Sequence, residues 1–317
     1  MSTQTQVSDN QDPSNQDGSV IIAALYQFKD LPDYLLVKPI LKRLCQEQGI
    51  KGTLILASEG INGTVAGSRI AMDALKSYLI DTLGFVKMEY KESFFHKQPF
   101  YRMKVLTKKE IVTLGRPDIR PHEKAGTYVS PQDWNTLISS PDVVLIDVRN
   151  DYEVQIGTFK QAINPKTETF KAFPEYVETQ LDPNKHKKVA MFCTGGIRCE
   201  KASAYMMSMG FPEVYHLKGG ILQYLEETPP DESLWDGECF VFDQRVAVTH
   251  GVEPGQHETC FGCRYPLATE DKQSSQYEEG VSCPHCIDTL TPEKSARLRE
   301  RHRQVQLAES RGACHLG

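Results

Sequence analysis

Apolar and polar positions along the chain alternate in short blocks, and the period switches repeatedly between two residues and roughly three and a half. Residues 20–28 are strand-like, 32–48 helical, 52–57 and 63–66 a pair of strands, and 70–83 helical again. Strands over 87–92 and 101–106 complete a β-α-β-β-α-β order with one strand extra. That order predicts an α+β ferredoxin-like, or acylphosphatase-like, sandwich over residues 19–110. Its middle strands are joined by Ser58-Glu59-Gly60-Ile61-Asn62-Gly63, a stretch dense in glycine and asparagine that reads as a turn needing positive φ.

A second block begins after a linker at 111–125. The run Val143-Val144-Leu145-Ile146-Asp147-Val148-Arg149 is an apolar strand ending in charge, 188–192 is a buried-strand pattern, and 200–209 is helical. Then Val214-Tyr215-His216-Leu217 forms a short strand, followed by Lys218-Gly219-Gly220 and a helical run over 221–226. Alternating strands and helices of this length indicate an α/β domain, here 126–228, with a parallel sheet covered on both faces.

Between the strand at 188–192 and its helix the chain reads Cys193-Thr194-Gly195-Gly196-Ile197-Arg198-Cys199. A cysteine that leads a glycine-bearing loop into a helix N-terminus faces converging amides and the positive end of the helix dipole, and Arg198 adds a full charge. Such a site lowers a thiol pKa and holds a thiolate, or an anionic species bound to it. Cys193 and Arg198 are therefore the candidate catalytic residues, with Thr194, Gly195, Gly196, Ile197 and Cys199 completing the loop. A phosphate-cradling loop places one residue more between its cysteine and its arginine. Cys199 has two readings, a thiol that resolves an oxidised Cys193 or a small core residue in the first helical turn.

At 317 residues the chain is long enough for two or three domains with separate cores. The net charge of −6 argues against nucleic-acid binding by the whole surface and leaves local patches open. One such patch follows the first block. Residues 86–124 hold ten lysines and arginines against five carboxylates, with Tyr90, Phe94, Phe95, Phe100 and Tyr101 interleaved. Positive charge with aromatics is the composition of an RNA-contacting surface, so Lys97, Arg102, Lys104, Lys108 and Lys109 are candidate RNA contacts. A solvated strand face over an aromatic stripe would look similar.

Residues 1–18, rich in Gln, Asn, Asp and Ser, read as a disordered leader without the basic and apolar regions of a signal peptide. No run approaches the length of a membrane span. Nine cysteines, several at metal spacing and one in a reactive loop, point to a reducing cytoplasm rather than a disulfide framework. In the Cys-rich segment at 229–292, Cys260-x-x-Cys263 and Cys283-x-x-Cys286 are nineteen residues apart, which suits a tetrahedral structural zinc with no open coordination position. A basic helical tail occupies 293–317.

These motifs carry a family resemblance. The Asp147-x-Arg149-x-x-x-Glu153 segment, the loop opened by Cys193 and the Lys218-Gly219-Gly220 element resemble the rhodanese domain. In that family the matching cysteine carries a persulfide, and the acidic and basic residues of the first segment tie the strand end to neighbouring loops. Three stretches, Ser58-Glu59-Gly60-Ile61-Asn62-Gly63-Thr64, Phe192 to Lys201, and Phe240-Val241-Phe242-Asp243-Gln244-Arg245-Val246, extend the likeness. Together they are similar to the bacterial tRNA uridine(34) hydroxylase family over about residues 20–290. That resemblance implies an oxidoreductase that uses molecular oxygen to hydroxylate C5 of the wobble uridine in the anticodon arm of tRNA. No two-His-one-carboxylate cluster or dinucleotide fingerprint stands out, so the redox cofactor stays unidentified and a direct role for Cys193, as nucleophile or as persulfide, is attractive. A rhodanese-type sulfurtransferase and a non-catalytic RNA-binding module remain open alternatives.

Overall fold

The computed structural model describes residues 20–243 and 245–311; the leader expected over 1–18 and the last residues of the tail, 312–317, lie outside them. The first domain runs β1 (Val20–Phe28), α1 (Tyr34–Glu47), β2 (Lys51–Ala57), β3 (Gly60–Gly67), α2 (Arg69–Ser77), β4 (Glu89–Phe95) and β5 (Met103–Thr107). Its sheet has the order β4-β1-β3-β2-β5, antiparallel except for the edge pair β2 and β5. Alternate residues such as Ala23, Leu25, Leu54 and Val65 point to one side and bury Leu41, Met72 and Leu75 from the two helices. The opposite face, with Ile22, Ala24, Thr53 and Ile55, is left for another partner.

The turn expected over 58–63 is far tighter. Only Ser58 and Glu59 lie between β2 and β3, and Ile61, Asn62 and Gly63 pair with strands on both sides. The glycine serves close strand approach rather than a bend: a Cβ at Gly63 would stand 2.1 Å from the Thr53 carbonyl oxygen.

The central domain contains β6 (Thr127–Val129), α3 (Pro131–Ile138), β7 (Val143–Asp147), α4 (Asp151–Val154), β8 (Gly157–Phe159), α5 (Phe173–Gln180), β9 (Lys188–Phe192), α6 (Ile197–Ser208), β10 (Glu213–Leu217) and α7 (Gly220–Glu227). Strands β6-β10-β9-β7 form an all-parallel sheet. Its two faces bury separate clusters, Val189 and Met191 against Ala202 and Met206 of α6, and Ala190 and Phe192 against Trp134, Ile221 and Tyr224. Helix α6 starts three residues before the pattern predicted. Gly196, with φ of 94°, sits at its N-cap, so Arg198 and Cys199 belong to the first turn and not to the loop.

Beyond lie β11 (Trp235–Gly237), β12 (Cys239–Phe240), β13 (Ala247–Val248), β14 (Glu258–Thr259), β15 (Pro266–Leu267), α8 (Thr269–Gln273) and α9 (Pro292–Glu309). Strand β11 pairs with β8, which joins this segment to the central domain. Among the described residues no helix is long and apolar enough to cross a membrane.

Candidate active site

Cys193 leaves the end of β9 with its side chain fully buried at the base of an open cavity. The Gly196 amide donates to its Sγ at 3.2 Å. Burial opposes ionisation of this thiol, but the Cys199 thiol, the Arg198 charge and the amides of Cys199 and Gly196 together bring its pKa down to about 6. Cys199 is fully buried among core residues and at the same time serves Cys193 as a donor; burial and the neighbouring thiolate push its own pKa up. Two other cysteines, one in each of the flanking regions, behave differently. Burial pushes Cys45 and Cys239 up to about 12.

The loop is held from below by α7. Ile221 and Leu222 amides donate to the Cys193 and Thr194 carbonyls at 3.0 and 3.1 Å. Gly220 allows this approach, since a Cβ there would lie 2.5 Å from both carbonyl oxygens. The Lys218-Gly219-Gly220 element is thus the seat of the reactive loop.

Arg198 is not a free charge. Its guanidinium donates to both Glu153 carboxylate oxygens at 2.6 and 2.7 Å, with Thr194 Oγ1 at 3.3 Å. Burial works against the charge of each partner, and the pairing overcomes it, holding Arg198 charged and Glu153 ionised. Glu153, expected to be structural, therefore sets the position of Arg198 beside the thiol. Asp147 and Arg149 fit the structural expectation. Fully buried Arg149 donates to Asp147 at 2.6 Å and to the Gly157 carbonyl at 2.6 Å, tying the end of β7 to β8.

The cavity over Cys193 has a volume of about 1050 Å³ and two walls. One is the reactive loop with α7 and Val241, Phe242, Asp243 and Arg245; the other is the free sheet face of the first domain, including Ile22, Tyr26, Asn62 and Tyr90. Lys201 of α6 fixes the two domains together. Fully buried, its Nζ reaches both Glu59 oxygens at 2.8 and 2.7 Å and Glu110 at 2.8 Å. Glu59 also accepts from the Ile111 amide, and Glu110 from those of Leu114 and Gly115. The Glu59 of the tight turn and the Lys201 that closes the cysteine motif are two halves of one buried contact. Sequence reading treated them separately, because nothing local links residues 142 positions apart.

Two families match the chain in this order. Residues 20–111 match the UPF0176 acylphosphatase-like domain, and residues 130–227 match the rhodanese-like domain. The reactive loop belongs to a rhodanese domain. Similar solved structures each cover about a third of the chain. A polysulfide-sulfur transferase homodimer from Wolinella succinogenes is 28% identical, covering 37% of this chain and 85% of that one, with a TM-score of 0.29. A rhodanese-related protein from Thermoplasma volcanium is 22% identical over 33% and 95%, TM-score 0.26. On the N-terminal side, an acylphosphatase from Coxiella burnetii is 12% identical over 28% and 93%, TM-score 0.22.

The five candidate RNA contacts are all exposed but do not gather at the rhodanese loop. Lys108 lines the cavity, and Lys104 stands beside cavity-lining Thr53 in the β2–β5 register, which puts it on the same sheet face. Lys97, Arg102 and Lys109 do not line the cavity. Three other cations of the basic stretch are already paired across the fold, Lys91 with Glu226, Arg116 with Glu178 and Arg120 with Asp30. The excess charge seen in the sequence is therefore partly offset by acids that the tertiary fold brings in.

Away from the rhodanese domain sits the second sulfur site. The Sγ atoms of Cys260, Cys263, Cys283 and Cys286 all lie within 4.8 Å of one another, with Cys263–Cys283 at 3.7 Å and Cys283–Cys286 at 3.8 Å. A tetrahedral ion with Zn–S bonds of about 2.3 Å requires sulfur–sulfur edges of about 3.8 Å, so the four residues fit such a group. His285, an adjacent candidate, stacks instead on Tyr265 with ring centroids 3.8 Å apart, and its Nε2 lies 3.2 Å from Asp271.

Proposed function

We propose that this protein is a tRNA-modifying oxidoreductase that hydroxylates C5 of the wobble uridine with molecular oxygen, with Cys193 as the reacting group. The observation that carries this reading is the placement of a thiol with pKa of about 6 under a cavity of about 1050 Å³ whose far wall is a separate domain. Pockets for drug-sized molecules run to about 300–1,000 Å³. Thiosulfate and cyanide, the small substrates of sulfur transfer, need no such volume and no second wall. A nucleoside with its flanking phosphates does.

In this reading the Cys193 thiolate adds to C6 of uridine, and the electron pair of the C5–C6 double bond moves to C5 as an enolate. C5 bonds to O₂; an external two-electron donor and two protons then cleave the O–O bond, leaving one oxygen on C5 and releasing the other as water. Loss of the C5 proton and departure of the Cys193 thiolate restore the double bond. Arg198, held by Glu153, and the amides at the head of α6 stabilise the sulfur anion before addition and after departure. The four C-terminal cysteines would hold zinc as a closed structural site, folding a segment short of regular structure rather than taking part in the reaction.

Mass analysis of the wobble nucleoside tests the reading. In tRNA from cells lacking this protein, and from cells carrying Cys193→Ser, 5-hydroxyuridine and its derivatives should vanish and return with the wild-type chain. A second reading is favoured by the same loop, whose converging amides suit a persulfide as well as a thiolate. Unchanged wobble uridine together with fast thiocyanate formation from thiosulfate and cyanide would replace hydroxylation by sulfur transfer.

A further inference from the structure

Phe242 is the large aromatic side chain that the fold leaves uncovered beside the reactive loop. It is 60% exposed and lines the cavity, while its neighbours in the chain are tied down. Val241 is buried, and its amide donates to the Val246 carbonyl at 2.8 Å. The almost fully buried Asp243 carboxylate accepts from Arg245 at 2.7 Å, and Arg245 in turn donates to Ser93 of β4 at 3.1 Å, fastening the segment to the opposite domain. The Phe242 ring itself stands edge-on to Phe240 at 5.2 Å and 82°, with the Arg198 guanidinium carbon 5.9 Å from its centroid. A segment anchored on both sides thus presents one aromatic ring to solvent next to the arginine that neighbours the thiol. Exposing a phenylalanine there forgoes the burial that its neighbour Phe240 gains.

The walls of the cavity are otherwise mixed in character. Polar side chains from both domains, Asn62, Thr53 and Thr64 on one wall and Thr194 and Gln223 on the other, line it together with the ring. An apolar ring face with polar side chains around it suits a flat heterocycle with polar edges.

We propose that Phe242 is the stacking surface for the pyrimidine ring delivered to Cys193, and that the polar side chains lining the cavity take the edges of that ring. This rests on the reading above, in which Cys193 acts on a uridine that leaves its stack to reach the thiol. Stacking of a base on an aromatic side chain is sequence-tolerant and strong enough to matter for turnover. The phosphate contacts of the rest of the tRNA, being several, dominate affinity.

The test uses the full chain with substitutions at Phe242, each supplied to cells lacking the protein, and follows the initial rate at which wobble uridine is hydroxylated after induction. Phe242→Ala and Phe242→Leu should slow modification by roughly five- to a hundredfold, and Phe242→Trp should keep it within about twofold because the stacking face persists. Affinity of the purified variants for unmodified tRNA should change by less than about threefold, since phosphate contacts carry it. The rate at which iodoacetamide labels Cys193 should not change, which separates lost stacking from a disturbed loop. Should Phe242→Ala alter that labelling, the Leu and Trp variants, close to phenylalanine in character and bulk, decide alone. Modification by Phe242→Leu at the wild-type rate, or equal loss in Leu and Trp, overturns the inference. Loss of stacking is distinct from failure of the underlying reading, in which Cys193→Ser itself still hydroxylates tRNA.

Discussion

Two sulfur sites in one chain show how neighbours decide what a cysteine does. In the rhodanese domain a single buried thiol faces amides, a donor thiol and a paired arginine, and its pKa falls to about 6. In the C-terminal segment four thiols converge within 4.8 Å, with no arginine in the set. The first arrangement stabilises one negative charge and leaves a lone pair facing a cavity; the second brings four thiols to the spacing of a tetrahedral metal site, where a bound cation would hold them as thiolates. Both sites use short loops with glycine or proline, so loop chemistry alone does not separate them. The count of sulfurs and the sign of their neighbours does.

The sharpest way to break this contrast is to exchange the lesions. Cys193→Ser should abolish wobble hydroxylation and leave the unfolding midpoint and the metal content unchanged. Cys283→Ser should remove the metal and expose residues 229–292 to protease while Cys193 keeps its reactivity towards iodoacetamide. Elemental analysis of the freshly reduced wild type should give about one zinc per chain, and a strong chelator should reproduce the Cys283→Ser protease pattern. A metal-free wild type with an intact C-terminal segment would remove the contrast altogether.

A smaller effect is expected between the domains. Lys201→Met leaves Glu59 and Glu110 facing each other without their shared cation, and breaking a buried ion cluster by removing one partner typically destabilises by about 3–5 kcal/mol. Burial already pushes the Glu59 carboxyl up against the pull of Lys201, so without that cation Glu59 should take up a proton. Denaturant unfolding at neutral pH reads the loss; a change below about 1 kcal/mol would mean that the domains are held elsewhere.

The pH profile of Cys193 labelling sharpens the contrast further. With a thiol pKa of about 6, the labelling rate should be nearly flat above pH 7 and fall about tenfold per unit well below 6. Cys199→Ala removes a thiol that favours the Cys193 thiolate, so the midpoint should move up. An unmoved midpoint would assign the depression to Arg198 and the amides alone. The smallest effect belongs to the cavity rim. Lys104→Glu and Lys108→Glu should each weaken tRNA binding by about 1 kcal/mol and flatten its salt dependence, whereas Lys109→Glu should do less. Equal slopes for all three would take the sheet face out of the RNA path.

Much of this was legible in one dimension. Strands β1 and β9 and the Cys193 loop stand where period and motif put them, because a buried strand needs apolar residues and a charged sulfur needs glycine, arginine and a helix start in immediate sequence. The acylphosphatase-like sandwich and the parallel α/β sheet follow from the order of such elements, and the rhodanese domain from the likeness of the motifs around Cys193. Gly60, next to the Ser58–Glu59 turn, has the positive φ expected there, 139°. Gly63 looked like a turn residue because glycine marks both bends and close strand approach, and only the neighbouring strands distinguish the two. The start of α6 was missed because left-handed Gly196, not an apolar repeat, opens the helix.

Sequence by itself determined which side chains could be chemical: the local pattern fixes a thiol at a helix head and two cysteine pairs at metal spacing, since these depend on contacts a few residues apart. Tertiary structure alone decided what those side chains meet. Glu153 reaches Arg198, Glu59 reaches Lys201, and Phe242 comes to stand by Arg198, through contacts 44 to 142 positions apart. Charge compensation and cavity walls depend on distance in space, and a chain that returns to the same point after a hundred residues leaves no local trace of it.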